Sequence, residues 1–385
     1  QLFIKTNCAG FVLELPPASG LTEEALTTVA GLVAMGEPGD ILHICLYASP
    51  HITPSLVAWG QAGSRRGAPI YRDLTKRRLR YLRHGNWESL FSDQSFLLRD
   101  FRLFVSLFRP SLDGPEFERL KRVRSAMVGA LQSAGMRAVS LDPDGLVDLY
   151  DTLLNPTTFK TQSAKAQAHL LIRDAMVTPD TRMLLGRDGL CIETTEKRID
   201  LRCFAVHEFP SVWVGWSNQE LIGSLRDNAR RLPCPFLHSL TITYPDELDA
   251  IGQAKLKSAR ATQMAEAPIG KIVTSWAEKK EEWAFVVRKL EEGNKLVKAS
   301  YQVVLFADRD GDYAESQLLS LYRASGWRLY KERFLPLHAF LIALPACVTP
   351  ELIRDAALFR RQRTMLSWSA ANLAPVVGEW KGTPD

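Results

Sequence analysis

Two apolar rhythms alternate along this chain, and their order restricts the fold more than any single residue does. Apolar residues three or four apart mark amphipathic helices, while short runs rich in branched and aromatic residues mark strands. Gly10–Leu15 is a predicted strand, ended by the turn Pro16-Pro-Ala-Ser-Gly20. Thr22 follows as a helix cap, since its hydroxyl can accept from an otherwise free N–H of the first turn, with Glu23 and Glu24 at the positive helix end. Leu26, Val29, Ala30 and Val33 share one face of that helix, which stops near Gly36, and Ile41–Tyr47 is the next strand. The order recurs in Phe101–Phe108, a helix striped by Phe117, Leu120, Val123, Met127 and Leu131, and the strand Met136–Leu141. Asp142-Pro143 then opens a further helix that Pro156 prevents from continuing.

The second half reads the same way. Ile199–Val206, Phe236–Thr243, Tyr301–Ala307, Trp327–Glu332 and Ala339–Leu344 are predicted strands, and Asn218–Leu232 and Asp312–Ser325 are predicted helices. Each half therefore runs strand–helix–strand, insertion, strand–helix–strand, the order of a ferredoxin-like βαββαβ unit. The expected architecture is α+β, with two ferredoxin-like units at 1–156 and 157–350. Helical insertions interrupt them at about 52–98 and 246–298, and a helix and linker follow at 351–385. The halves share no residue-level similarity, so the duplication is an inference from topology alone.

The two insertions differ in chemistry. From Gly60 to Asn86 there are eight cations, Arg65, Arg66, Arg72, Lys76, Arg77, Arg78, Arg80 and Arg83, against the single acid Asp73. That local excess is larger than the +5 carried by all 385 residues. A stretch of this kind suits phosphate, either anionic lipid head groups or a nucleic-acid backbone, or else an acidic partner subunit. Nucleic acid is the alternative reading for 64–83, and the lack of interleaved aromatics to stack bases weighs against it. The second insertion mixes signs densely, as in Glu278-Lys-Lys-Glu-Glu282, and Pro268 and Gly270 divide it. Trp276, Trp283, Val287 and Leu290 give its second arm a narrow apolar seam, so a helical hairpin acting as an interaction arm is expected.

Several kinds of chemistry find no support. A membrane-spanning helix needs about 20 apolar residues in a row, and Ala339–Val348 is half that and contains Pro345. The six cysteines, Cys8, Cys45, Cys191, Cys203, Cys234 and Cys347, form no C-x-x-C pair and read as reduced thiols of a cytoplasmic protein. A phosphate-binding loop needs G-x-x-x-x-G-K-[ST]. At the one Gly-Lys pair, Gly270-Lys271, Ala265 holds the first glycine position and Ile272 the hydroxyl position. Asp246-Glu247 follows Pro245 and reads as a turn rather than a magnesium site, and His207-Glu208 with Cys191 and Cys203 lacks metal-ligand spacing. No catalytic, cofactor or metal residue is assigned.

A set of longer segments carries a resemblance. They are Gly10-Phe-Val-Leu-Glu14 with Pro17-x-x-Gly20, Ala48-Ser-Pro-His51, Ser92-Asp-Gln-Ser-Phe-Leu-Leu-Arg-Asp-Phe-Arg-Leu-Phe104, Leu153-Leu-Asn-Pro156 and Asn372-Leu-Ala-Pro-Val-Val-Gly-Glu-Trp-Lys-Gly382. In order and spacing they resemble the N-terminal region of the TraC family, the F-type conjugative-transfer ATPases of bacterial type IV secretion systems. The resemblance implies a front region whose continuation past Asp385 is a RecA-like motor domain binding ATP and Mg. It implies a parent that powers pilus assembly and transfer of DNA and protein from the cytoplasmic face of the inner membrane. This chain would then be a non-catalytic docking and oligomerisation region. Its implied partners are inner-membrane components of the secretion system and other subunits of the same ATPase.

Overall fold

Every strand with a clear sequence signal but one joins a single antiparallel sheet. A computed structural model of the chain describes residues 1–379 apart from 66–68, 93–94, 158–163, 177, 179, 195–196, 224–229, 268–274 and 309, and apart from the side chains of 63–65 and 275. The first half comprises β1 (Phe3–Lys5), β2 (Cys8–Leu15), α1 (Glu23–Ala34), β3 (Ile41–Ser49), α2 (Thr53–Arg65), α3 (Pro69–His84), β4 (Asp100–Arg109), α4 (Gly114–Ser133), β5 (Val139–Ser140) and α5 (Pro143–Leu154). A connecting region holds α6 (Ile172–Ala175) and the hairpin β6 (Arg182–Leu185) and β7 (Leu190–Glu193). The second half comprises β8 (Arg198–Glu208), α7 (Asn218–Leu221), β9 (Phe236–Thr243), α8 (Glu247–Glu266), α9 (Ser275–Glu291), β10 (Leu296–Ala307), α10 (Gly311–Ala324) and β11 (Arg328–Lys331). The chain then forms α11 (Pro336–Ala343), α12 (Pro350–Leu358), β12 (Arg363–Leu366) and α13 (Ser367–Asn372).

The sheet order is β1-β2-β4-β3-β9-β10-β8-β7-β6, with β5 on β2, β11 on β8 and β12 on β10. Within each half the four main strands lie fourth–first–third–second, as β5-β2-β4-β3 and β11-β8-β10-β9. The halves meet where β3 pairs with β9, from Ile41 opposite Thr243 to Ala48 opposite Phe236. Because strand side chains alternate faces, each face has its own core. On one, Phe11, Leu42, Phe236 and Val303 pack under α1, α4, α10 and α13. On the other, Val12, Tyr47, Phe104 and Phe306 pack under α5 and α11.

Close contacts tie the halves beyond the strand pairing. Tyr244 donates its hydroxyl to the Val33 carbonyl at 2.6 Å. Gly36 makes room for its ring, since a Cβ there would stand 2.1 Å from it. Within the first half, at the end of β4, Arg109 grips the fully buried Asp40 through two hydrogen bonds of 2.7 and 2.9 Å and reaches Glu116 of α4 at 2.8 Å. Those bonds, the pair to Asp40 foremost, hold the Arg109 guanidinium protonated beyond its ordinary range.

Three sequence expectations need correction. The run Ala339–Leu344 is not a strand: α11 covers it, with Pro336 in the first turn and Phe340, Ile342 and Ala343 buried. An apolar run this short has no period to separate a buried helix from a buried strand. Pro336 favours the helix because the first turn needs no N–H there. Met136–Leu141 contributes only the two-residue β5, held by pairing with β2. Of the helix expected over 218–232, the described residues form the single turn α7, followed by Gly223 in the left-handed region at φ +96°, and 224–229 lie outside the described residues.

Candidate docking surfaces

Two helical pairs stand between the second and third main strands of their halves. The first, α2 and α3, follows the Ser49 end of β3, and the second, α8 and α9, follows the Thr243 end of β9. Since β3 and β9 run antiparallel, the two arms leave opposite ends of the central strand pair.

The first arm is held together at Gly60, where an added Cβ would come within 2.5 Å of a Leu79 methyl. Thr75 of α3 is buried, and Leu79 and Leu82 are half-buried. Arg72, Lys76, Arg77, Arg78, Arg80 and Arg83 are all exposed on α3. Arg78 sets its guanidinium 5.5 Å from the centre of the Trp59 ring of α2. Of the other predicted cations, the Arg65 side chain and the whole of Arg66 lie outside the described residues. The expectation that this stretch offers no aromatics to a partner is wrong. Tyr71 is 61% exposed and Tyr81 53%, beside Ile70 at 64% and Leu74 at 55%. The two tyrosines are ten residues apart and register as no pattern until the helix brings them to one surface.

The second arm brings its predicted residues together. Trp276, Trp283, Val287 and Leu290 of α9 are all half-buried, and α8 buries the small residues Ala254 and Ala261. Lys257 of α8 sits 5.1 Å from the Trp283 ring centre, and Lys280 of α9 pairs with Glu266 of α8 at 2.8 Å. Leu290 reaches a small hollow at the base with Gly36, Tyr244 and Ile251. Unanticipated on α8 are Leu248 and Leu256, both exposed. Asp246, at the turn before α8, accepts from the N–H groups of Leu248 and Asp249, as a helix cap does.

His207, Glu208, Cys191 and Cys203, weighed above as possible metal ligands, are engaged in structure. His207 stacks edge-on against Tyr330, and Glu208 pairs with Arg328 at 3.2 Å. Burial raises the thiols of Cys191 and Cys203. Among the described residues no three His, Cys, Asp or Glu side chains gather as a metal site. His43 meets the Ser239 hydroxyl at 2.6 Å across the central strands, and burial, aided by the charge of Lys5, lowers its pKa to about 3. Burial does the same to His238 on the opposite face. Both imidazoles are therefore neutral near neutral pH.

The closing segment is structural. Val376 and Val377 are buried, and Ala18 exchanges backbone hydrogen bonds with Val376 and Gly378 at 2.9 Å. Asn218 donates to the carbonyls of Asn372 and Ala374, so the segment is fastened to both halves. Residues 380–382 of the sequence motif lie outside the described residues.

A family model described as TraC protein matches residues 1–348, a span that includes both arms and all eight main strands. The chain belongs to the TraC family. This TraC-family chain is also similar to protein TraC of Escherichia coli (strain K12), at 22% identity over 406 residues. That alignment takes in 100% of this chain and 46% of the relative, so the chain spans about half of the relative's length. Residues 349–379, with α12, β12 and α13, lie past the TraC family match but inside the pairwise alignment. Among its described residues, no helix of this TraC-family chain is long and apolar enough to cross a membrane.

Proposed function

We propose that this chain is a non-catalytic docking and oligomerisation region of a conjugative-transfer protein of type IV secretion. The parent would be an ATPase, with ATP and Mg bound in a region this chain does not include. Membership of the TraC family and the half-length alignment support that reading. The observation that carries it is the pair of helical arms, each packed within itself and presenting exposed apolar side chains on its outer surface. We further propose that each half is a ferredoxin-like unit, divided near 156 and joined edge to edge. The fourth–first–third–second strand order in both halves supports this.

In this reading the chain lies at the cytoplasmic face of the inner membrane. The basic arm contacts an anionic membrane or an inner-membrane component, and the α8–α9 arm contacts another subunit. Deleting 252–296 should leave the sheet folded and change the oligomeric state measured by light scattering. An unchanged state counts against the oligomerisation role, and Mg-dependent ATP hydrolysis by this chain alone would end the non-catalytic reading. The exposed Tyr71 and Tyr81 support a second reading, a nucleic-acid-binding module on α3. Its binding to a DNA duplex should weaken steeply with salt, and absence of binding even at low salt removes it.

A further inference from the structure

α3 carries two surfaces besides the one packed on α2. At about 100° per residue, Ile70, Leu74 and Tyr81 fall within about 40° of one another, and Thr75, Leu79 and Leu82 lie about 100 to 160° round the helix from them. An exposed apolar stripe therefore points away from the side that the arm itself packs. Arg80 lies to one side of the stripe, Arg78 and Tyr71 to the other, and Arg77 beside Ile70 at its edge, while Arg72, Lys76 and Arg83 face away from it. Asp73 is the sole acid of the helix.

This arrangement separates the candidate partners. A nucleic-acid duplex would engage the cations and leave Ile70 and Leu74 without a role. A protein groove that took the stripe would also bury Arg77 and would have to pair its charge. At a bilayer surface, the aliphatic side chains enter the boundary of the acyl chains while Arg77 and the flanking cations extend to the phosphates. Tyr71 and Tyr81 suit the same depth, with an apolar ring and a polar tip.

We infer that α3 lies on an anionic lipid surface, inserting Ile70 and Leu74 and binding phosphates through Arg77, Arg78 and Arg80. This deepens the docking reading above and rests on it, by naming lipid as what the basic arm meets. The test is co-sedimentation of the full chain with vesicles of phosphatidylglycerol and phosphatidylcholine, against vesicles of phosphatidylcholine alone and against a DNA duplex. The chain should be retained by the anionic vesicles at low salt and not by the neutral ones. Arg77→Glu, Arg78→Glu and Arg80→Glu together should weaken retention about a hundredfold. Ile70→Ser with Leu74→Ser, which keeps every charge, should weaken it about tenfold and leave any DNA binding unchanged.

Because these side chains are exposed, the thermal transition should not move in either variant, which separates lost contact from lost fold. Equal retention by neutral vesicles, or indifference of anionic retention to the two serines, overturns the inference. If vesicles fail to retain the chain while deleting the α2–α3 arm still weakens binding to other inner-membrane proteins, the docking reading stands and the lipid assignment falls.

Discussion

The two arms occupy equivalent places in their halves and are built in opposite ways. In α2–α3 a glycine brings the helices close, and α3 keeps its apolar stripe and its cations for the outside. In α8–α9 the large apolar residues Trp276, Trp283, Val287 and Leu290 turn toward the partner helix, and cations cover the rings. One arm packs at Gly60 and Leu79 and leaves Ile70, Tyr71, Leu74 and Tyr81 exposed among its cations. The other turns its tryptophan seam inward and leaves Leu248, Leu256 and Phe285 exposed instead. The lesson is that topological equivalence fixes where an insertion emerges, while its side-chain chemistry sets what it can bind.

The two halves share one sheet and are expected to unfold as one cooperative body, and the largest expected effect tests that. Leu240 is fully buried on β9 opposite Ile44 of β3. Leu240→Ala should cost about 3 kcal/mol through lost burial and the cavity left behind. The whole sheet should then melt in one shifted transition in calorimetry, and two separate transitions would show the halves to be independent.

A smaller effect tests the central strands through acid. The pKa of His43 in the folded chain, about 3, lies below its ordinary 6.5, so between these values the unfolded chain binds more protons. Stability is complete above about pH 6.5 and falls as pH drops toward 3, by about 2 to 3 kcal/mol at about pH 4.5 from this residue. Urea denaturation across this range should give a shallower pH slope for His43→Asn than for the parent chain, and equal slopes would contradict a neutral buried His43. His238 on the other face should behave alike, since burial also lowers its pKa to about 3.

The smallest effect separates the two corresponding helices α4 and α10. Asp310 accepts from the Tyr313 N–H at the start of α10, whereas Asp113 makes no such side-chain bond before α4. Asp310→Ala should therefore cost about 1 kcal/mol and Asp113→Ala close to nothing in thermal denaturation. Equal losses would remove this difference between the halves.

Local signals were legible where one short segment carries its own reason. Thr22 and Asp142 cap α1 and α5 as their sequences suggest, because a cap needs only a side-chain oxygen within three residues. The basic helix and the tryptophan seam of α9 were also readable, since each repeats at helical spacing. The helix α11 was not, for a uniformly apolar run has no period. Nor were β12 and the hairpin β6–β7, strands of four residues each whose pairing comes from elsewhere in the chain.

Sequence by itself determined the number and order of most elements, the place of both insertions and the concentration of charge in the first. Periodicity, caps and charge are properties of neighbouring residues, so they survive without a fold. Only the tertiary structure decided that β3 and β9 join the halves in one sheet, that residues 372–378 fasten to Ala18 of one half and Asn218 of the other, and that Ile70 and Leu74 face outward beside the arginines. Those outcomes depend on which distant surfaces meet, and a helix cannot declare which of its apolar faces will be covered until its neighbour is in place.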